Sequence, residues 1–510
     1  MTDLLIRGGL VVDGTGAPAR TADVAVGHGR IEAVGDLAGL TAARVVAAGG
    51  RLVCPGFVDV HSHSDLALLS NPEAHSKIRQ GVTTEVLGNC GLGVSPLPPQ
   101  TDAAALRAAV GFIDVDPALA WPWRTLADYQ ETLAAARPAV NTLSLVGHLP
   151  LRAAVTGFAD RPATPGERAR MSDLLARALD EGAAGLSTGL IYAPACYADE
   201  AELTALATVV ARYGRIFAWH LRDYADGLLT SVAQAVRVSE ASGCRTQISH
   251  LTAVGRRNWG TVAEALRLIE AADADVRADV YPYLAGSANL SQLLPGWAHD
   301  GGEPAMRARL RDPRVRDRIR AAWAGRWWAW PDVLVEGRPL GGEDEALDLI
   351  AEHGNGVAMV AFGRSEDDLL AALAHPAVVI GSDGFALDPD GPTGRGTPHP
   401  RSYGCYPRLL HHYVGQGRLT IEEAVRKCTG APAELLGLSG LSGLLRPGAA
   451  ADLLVLDLET IEDLSSFTHP HRYPAGVDLV VVNGTVVIDD GDHTGARPGR
   501  VQRPLMEVTT

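Results

Sequence analysis

Six apolar runs in this chain each stop on a residue able to bind a metal ion. Phe57-Val58-Asp59-Val60 leads into His61-Ser62-His63, and residues 83–88 lead into Asn89-Cys90. Residues 142–147 stop at His148, 215–219 at His220, 245–249 at His250, and 377–381 at Ser382-Asp383. Short apolar runs bounded by polar residues read as buried strands, and strands buried on both faces belong to parallel sheets covered by helices. Such strands ending in His, Cys or Asp, spread over some three hundred residues, point to one convergent site at one end of a parallel barrel. Metal-dependent hydrolysis is therefore the first function this pattern predicts.

Two further apolar runs complete the set: residues 182–186 before Ser187-Thr188, and 276–280 before Tyr281-Pro282-Tyr283. Helical patterns over 167–181, 200–213, 228–242 and 261–272 alternate with them. Eight strand candidates alternating with helices predict an α/β fold, a (β/α)8 TIM barrel, whose active site lies at the C-terminal strand ends. The two chain ends read differently, as short strands broken by Gly and Asp, with hairpin-like turns at Asn483-Gly484 and Asp490-Gly491. Neither end has enough strands for a core, so together they predict one small β-sandwich domain, residues 1–55 plus 445–510. The barrel takes 56–289 plus 355–444. Residues 290–354, irregular and carrying Trp297, Trp323, Trp327, Trp328 and Trp330, read as a helical insertion between strands seven and eight near the barrel mouth. A second long connection, 96–138, follows strand two.

The formal charge of −15 comes without any basic block, which argues against nucleic acid or an anionic membrane surface as partner. No run approaches the ~20 uninterrupted apolar residues of a membrane-spanning helix. The N-terminus lacks the basic start and apolar stretch of a signal peptide, and the six cysteines form no CxxC pair. A cytoplasmic protein with reduced thiols and a small-molecule substrate is expected; the oligomeric state is not legible. Lys77 and Lys427 are the only lysines, and neither lies in a barrel strand. A carbamylated lysine bridging two metals is therefore excluded, and the anchoring anion has to come from elsewhere, with Cys90 as the candidate.

Residues i and i+2 of a strand share a face, so His61 and His63 can reach one ion. Neighbouring strands lie ~5 Å apart, so His220 and His250 can share another. A thiolate from Cys90 beside imidazoles favours zinc. Asp383 can ligate weakly and take a proton from water whose pKa a zinc ion lowers to ~7. Each residue also has an ordinary structural reading: hydrogen-bonded polar residues, a small buried thiol, a turn cap. The shared position at strand ends favours the chemical one.

These segments resemble the amidohydrolase superfamily, and within it the D-aminoacylase branch of N-acyl-D-amino-acid deacylases. The resemblance rests on Pro55-Gly56-Phe57-Val58-Asp59-Val60-His61-Ser62-His63, Gly88-Asn89-Cys90-Gly91, Gly185-Leu186-Ser187-Thr188-Gly189, His220-Leu221-Arg222, Ser249-His250, Gly381-Ser382-Asp383-Gly384 and Pro398-His399-Pro400-Arg401. It covers nearly the whole chain. It implies a tight zinc on Cys90, His220 and His250, and a second, weaker position involving His61, His63, Cys90 and Asp383. It further implies hydrolysis of N-acyl-D-amino acids, with Asp383 as general base and then as acid to the leaving amine.

A free α-carboxylate wants a cation, preferably a bidentate arginine. Arg401 matches the family position, and Tyr283, Ser287 and Tyr192 are hydroxyl partners. The chain departs from the family at Thr252, where relatives often carry lysine, leaving Arg401 alone or assisted by Arg256 or Arg257. The tryptophans of the insertion favour a bulky or apolar group. His148 either lines the site or anchors its loop. The alternatives are hydrolysis of another amide or a carbamoyl substrate, a deaminase, and a non-enzymatic metal-binding protein. A deaminase wants His-x-x-Glu after a strand-five or strand-six histidine, which His220-Leu221-Arg222-Asp223 and His250-Leu251-Thr252-Ala253 do not supply.

Overall fold

The computed structural model describes residues 2–438 and 442–504; the last six positions of the anticipated β domain lie outside them. Eight parallel strands form the barrel in chain order: Phe57–Asp59, Val82–Leu87, Asn141–Gly147, Gly185–Gly189, Ile216–His220, Arg245–Ile248, Val276–Val280 and Val378–Ile380. Each of the eight apolar runs supplies one strand. Side chains alternate as the pleat requires. Val58, Val86, Leu143, Leu145, Ile216, Ala218 and Val379 fill the barrel interior, whereas Phe217, Trp219, Leu186, Ile248 and Val378 meet the surrounding helices.

Of the four helices anticipated from sequence, two begin where a side chain caps their free N–H groups, Thr164 for one and Asp199 for the next, whereas Leu228–Ser242 and Thr261–Glu270 start after glycines. Thr164 and Glu167 form a capping box with Pro165 in the first turn, so that helix spans Pro165–Asp180, two residues earlier than the apolar pattern alone indicates. Glu200–Arg212, Leu228–Ser242 and Thr261–Glu270 follow.

Both chain ends build one nine-stranded sheet. Leu453–Leu456 pairs antiparallel with Leu52–Pro55, joining the two ends directly. The turn at Gly29 and Arg30 bonds to Ala449–Ala451, so the sheet curls back around its own core and the sandwich is a single sheet rather than two. Asn483-Gly484 and Asp490-Gly491 have positive φ at both positions, the backbone of tight hairpin turns.

The insertion differs from expectation. It contains helices, Gly302–Arg309, Pro313–Ala322 and Glu343–His353, but also a four-stranded sheet. Ala285–Asn289 and Ala358–Phe362, assigned to the barrel from sequence, pair with each other and with Val333–Val335 instead. Ala285–Asn289 (Ala-Gly-Ser-Ala-Asn) carries little strand signal, whereas Ala358–Phe362 (Ala-Met-Val-Ala-Phe) is a short apolar run whose partner the sequence does not name; the pairing is a tertiary effect.

The barrel closes between its last and first strands through one isolated bridge, Ser62 with Gly384, plus hydrogen bonds from Asp383 N to His61 O (2.7 Å) and His63 N to Gly384 O (2.9 Å). A buried polar knot reinforces this thin seam. Lys77 Nζ lies 2.6 Å from Asp59 Oδ2 and 2.6 Å from Ser382 Oγ, with Glu85 at 3.4 Å. Asp59 in turn accepts from Ser382 N (2.8 Å) and Oγ (2.6 Å). Removing one partner of a buried pair leaves the other charge unpaired, at a cost of about 3–5 kcal/mol. Lys77→Met is therefore expected to lower stability by that amount, read as a drop in the urea midpoint at unchanged slope; a shift within experimental error would show that the knot does not hold the seam.

Candidate active site

The site is assembled at the C-terminal ends of the strands. Ile216 and Ala218 face the barrel interior, so the period of two brings His220, the last residue of strand five, to the same side. Cys90 follows strand two in a turn that only glycine can flank. At Gly88 (φ +79°) a Cβ would lie 2.3 Å from Leu145 O, and at Gly91 (φ +71°) 2.8 Å from Gly189 N. Ser187 on strand four offers no ligand, but its hydroxyl donates to Gly88 O and accepts from Gly91 N, pinning the turn. Cys90, His250 and Asp383 all hold positive φ, at 54°, 38° and 53°. This conformation costs a non-glycine residue roughly 1–2 kcal/mol, and such strain gathers where function demands a fixed side-chain direction.

Two buried clusters share one sulfur: Cys90 with His220 and His250, and Cys90 with His61, His63 and Asp383. In the first, His250 Nε2 lies 3.6 Å from Cys90 Sγ and 3.0 Å from His220 Nδ1. In the second, His61 Nε2 is 3.2 Å from the sulfur, and Asp383 Oδ1 is 2.9 Å from His63 Nε2 and 3.3 Å from His61 Nε2. Ligands at ~2.0–2.3 Å from a tetrahedral zinc stand about 3.3–3.6 Å apart. In the first cluster the S–N separation of 3.6 Å falls in that range and the N–N separation of 3.0 Å lies a little inside it, and one sulfur with two imidazole nitrogens is a donor set zinc takes.

The electrostatics agree with that fit. Burial pushes the Cys90 thiol up to about 11 and His220 down to about 3; burial and His220 hold His250 well below its ordinary value. Both imidazoles are thus neutral, the form that ligates, and the thiolate needs a cation to replace lost water. Burial alone would raise Asp383, but Arg401 first, then His61, hold its carboxyl well below the usual range. Arg401 Nη1 lies 2.6 Å from Asp383 Oδ2.

Sequence reasoning missed Asp279. This inward-facing acid on strand seven accepts from His250 N (2.8 Å) and Gln247 Nε2 (2.6 Å), and meets His61 Nδ1 at 3.1 Å. Its signal was present: a lone carboxylate alternating with Ala278 and Val280 on a buried strand. Such partners orient metal-binding histidines.

A cavity of about 270 Å³ opens beside His220, His250 and Asp383. Of the proposed substrate residues, Ser287 lines it, as do Trp327 and Trp328. Arg401 is buried behind Asp383, bonded also to Tyr281 Oη at 2.6 Å. Tyr283 donates to Asp463 Oδ2 at 2.7 Å, and Tyr192 packs its ring edge-on to His220 with 5.2 Å between centroids. Arg257 is paired with Asp226 and Arg256 stacks over Trp259; neither reaches the cavity. His148 anchors rather than lines: its ring nitrogens meet Thr188 Oγ1 at 2.9 Å and Glu202 Oε1 at 2.7 Å.

A parallel barrel with a His–Cys–Asp centre at its strand ends defines the class, a metal-dependent hydrolase. Residues 44–278 and 353–488 match the amidohydrolase family, and the chain belongs to it. A D-aminoacylase of Alcaligenes xylosoxydans xylosoxydans is 36% identical over 98% of this chain and 97% of its own. An N-acyl-D-glutamate deacylase of the same organism is 36% identical over 98% and 96%. The solved N-acyl-D-glutamate deacylase of Bordetella bronchiseptica, complexed with zinc and a phosphonate mimic of the tetrahedral intermediate, superposes with a TM-score of 0.81 at 32% identity, covering 98% of this chain and 99% of that one.

Loss of the shared sulfur removes one ligand from each cluster, so Cys90→Ala is expected to lose stoichiometric zinc by elemental analysis; full retention would take Cys90 out of the coordination set. Asp279→Asn keeps the ligands but loosens their orientation, and its zinc affinity should fall by about 10–100-fold in a chelator competition.

Proposed function

We propose that this protein is a zinc-dependent N-acyl-D-amino-acid deacylase, which hydrolyses the amide bond to a carboxylate and a free D-amino acid. The observation that carries the reading is the pair of clusters joined at Cys90, with Asp383 at the edge of the cavity. The full-length relatives acting on N-acyl-D-amino acids support it, as does the zinc complex of the Bordetella bronchiseptica enzyme.

Cys90, His220 and His250 hold the tight zinc; His61, His63, Cys90 and Asp383 form the weaker second position. When bound, zinc polarises the acyl carbonyl and lowers the pKa of water. Asp383 accepts the proton of the attacking water and returns it to the amide nitrogen as the C–N bond breaks. Arg401 fixes Oδ2 of that carboxylate while His63 meets Oδ1, so its orientation is set before substrate arrives. Ser287 offers a hydroxyl to the substrate from the cavity wall; Arg401 and Tyr192 act through Asp383 and His220, and Tyr283 fixes the wall behind them. Six unpaired cysteines support a cytoplasmic setting, and the substrate is a small molecule.

Zinc-loaded protein should release amine from N-acetyl-D-amino acids, and a panel of both enantiomers with no amine released would sink the proposal. Asp383→Asn should keep the zinc of the tight position yet lose about 10²–10⁴-fold in kcat; near-normal turnover would exclude Asp383 as the proton carrier.

A further inference from the structure

Charged groups of the cavity wall fall into two kinds. Arg222, Asp223 and Asp383 are already engaged. The guanidinium of Arg222 donates to Gln234 Oε1 (3.0 Å), Cys196 O (2.9 Å) and Ala198 O. Asp223 accepts from Ala225 N (2.6 Å) and Gly227 N (2.8 Å), and Asp383 meets Arg401 and His63. Arg364 is different. It lines the cavity with His250 and Asp383; like Arg222 it forms no ion pair among the described residues, but unlike Arg222 its Nε is buried without a hydrogen-bond partner. Its Nη2 donates to Tyr281 Oη at 2.6 Å, and its guanidinium stacks 4.6 Å from the centre of that ring.

The same phenol oxygen accepts from Arg401 Nη1 at 2.6 Å. With two donors on its lone pairs, the Tyr281 hydroxyl has its own proton left to give. Arg364 and Tyr281 thus present donors at one spot on the cavity wall, linked through Arg401 to Asp383. In an N-acyl amino acid the scissile carbon and the carboxylate carbon are three bonds apart, roughly 3–4 Å, so a carboxylate receptor must stand this close to the reacting centre. A guanidinium edge matches a carboxylate bidentately.

We propose that Arg364, with the Tyr281 hydroxyl, receives the substrate's α-carboxylate, and that its being the one cation of the wall with a buried donor left unbonded restricts the enzyme to substrates with one carboxylate. The inference rests on the deacylase reading and narrows it. Leu293, Trp327, Trp328, Met359 and Ala361 make up the apolar wall and accept an uncharged side chain or acyl group. A second carboxylate, as in N-acyl-D-glutamate or N-acyl-D-aspartate, meets there only Arg222, whose nitrogens already donate to Gln234, Cys196 and Ala198, and faces Asp223.

The test compares N-acetyl-D-leucine, N-acetyl-D-leucinamide and N-acetyl-D-glutamate on the zinc-loaded wild type, Arg364→Ala and Arg364→Lys. Losing a charge-paired anchor costs at least about 30-fold in binding. The ratio of kcat/KM for the acid to that for the amide should fall by this factor in Arg364→Ala, mainly through KM. Arg364→Lys, which keeps the charge and loses the fork, should fall less, and it carries the test if the alanine variant does not fold. Calorimetric titration of metal-stripped protein with N-acetyl-D-leucine should show the same weakening. Equal losses on acid and amide, or an unchanged Kd, would overturn the assignment of Arg364. A wild-type kcat/KM on N-acetyl-D-glutamate equal to or above that on N-acetyl-D-leucine would overturn the one-carboxylate restriction. A wild type inactive on all three defeats the deacylase reading itself, and the inference with it; an active wild type with an indifferent Arg364→Ala defeats only the inference.

Discussion

The centre depends on the seam that Asp59, Lys77 and Ser382 close. Strand pairing there amounts to little more than one bridge between Ser62 and Gly384, yet the seam brings together the two halves of the His61–His63–Asp383 cluster. His61 and His63 follow the first strand and Asp383 follows the last, and they meet within 3.3 Å. A buried carboxylate bonded at once to Lys77, Ser382 N and Ser382 Oγ fixes the two strand ends in a register that backbone pairing alone would leave loose. Buried ion pairs are poor sources of net stability, because desolvation offsets most of the attraction. Here the knot serves registry: it specifies which residues face each other at the barrel mouth.

Placing an anion between two imidazole sets solves a charge problem. Four buried histidines and a carboxylate share one small dry volume, and a central anion would offset the charge of any cation these donors hold. The Cys90 sulfur sits within 3.2 Å of His61 and 3.6 Å of His250, in reach of both positions. The cost is a thiol raised to about 11 by burial, a left-handed backbone and two obligatory glycines. That investment makes sense only if the sulfur is held as a thiolate by metal, since a buried thiol serving as packing needs none of it. Cys54 is such a thiol, buried in a regular strand with no strain.

The barrel and its ligands were legible because the signals are local. A strand announces itself by a run of apolar residues, and a strand end by the polar residue that stops the run, so all eight strands and the six members of the two clusters could be read in order. What was not legible depended on long-range pairing. The insertion's sheet joins Ala285–Asn289 to Ala358–Phe362 across some seventy residues; the first segment's Gly and Ala carry no strand signature, and the second's apolar run does not say which strand it pairs with. Tyr283 illustrates a second limit. Position relative to the strand end correctly placed it near the mouth, but which way its hydroxyl points was decided by Asp463, a residue some 180 positions away. Residue type predicts what a side chain can do; its hydrogen-bond partner decides whether it is free to do it.

That distinction also separates the arginines around Asp383. Arg401 and Arg364 both donate to the Tyr281 oxygen, so one phenol links the Asp383–Arg401 pair to the cavity wall. Arg401 lies inside, bonded to the Tyr281 oxygen and Ser287 O and ion-paired with Asp383, so its charge is already compensated by the carboxylate it steadies. Arg364 lies at the wall with a buried, unpaired Nε, an arrangement that costs free energy in the absence of an anion and returns it when one binds. On the proposed assignment, a substrate carboxylate that pairs with Arg364 accepts the Tyr281 proton too, while the phenol oxygen goes on accepting from Arg401. Recognition of the acid group and readiness of the base are in this way two ends of one hydrogen-bonded chain.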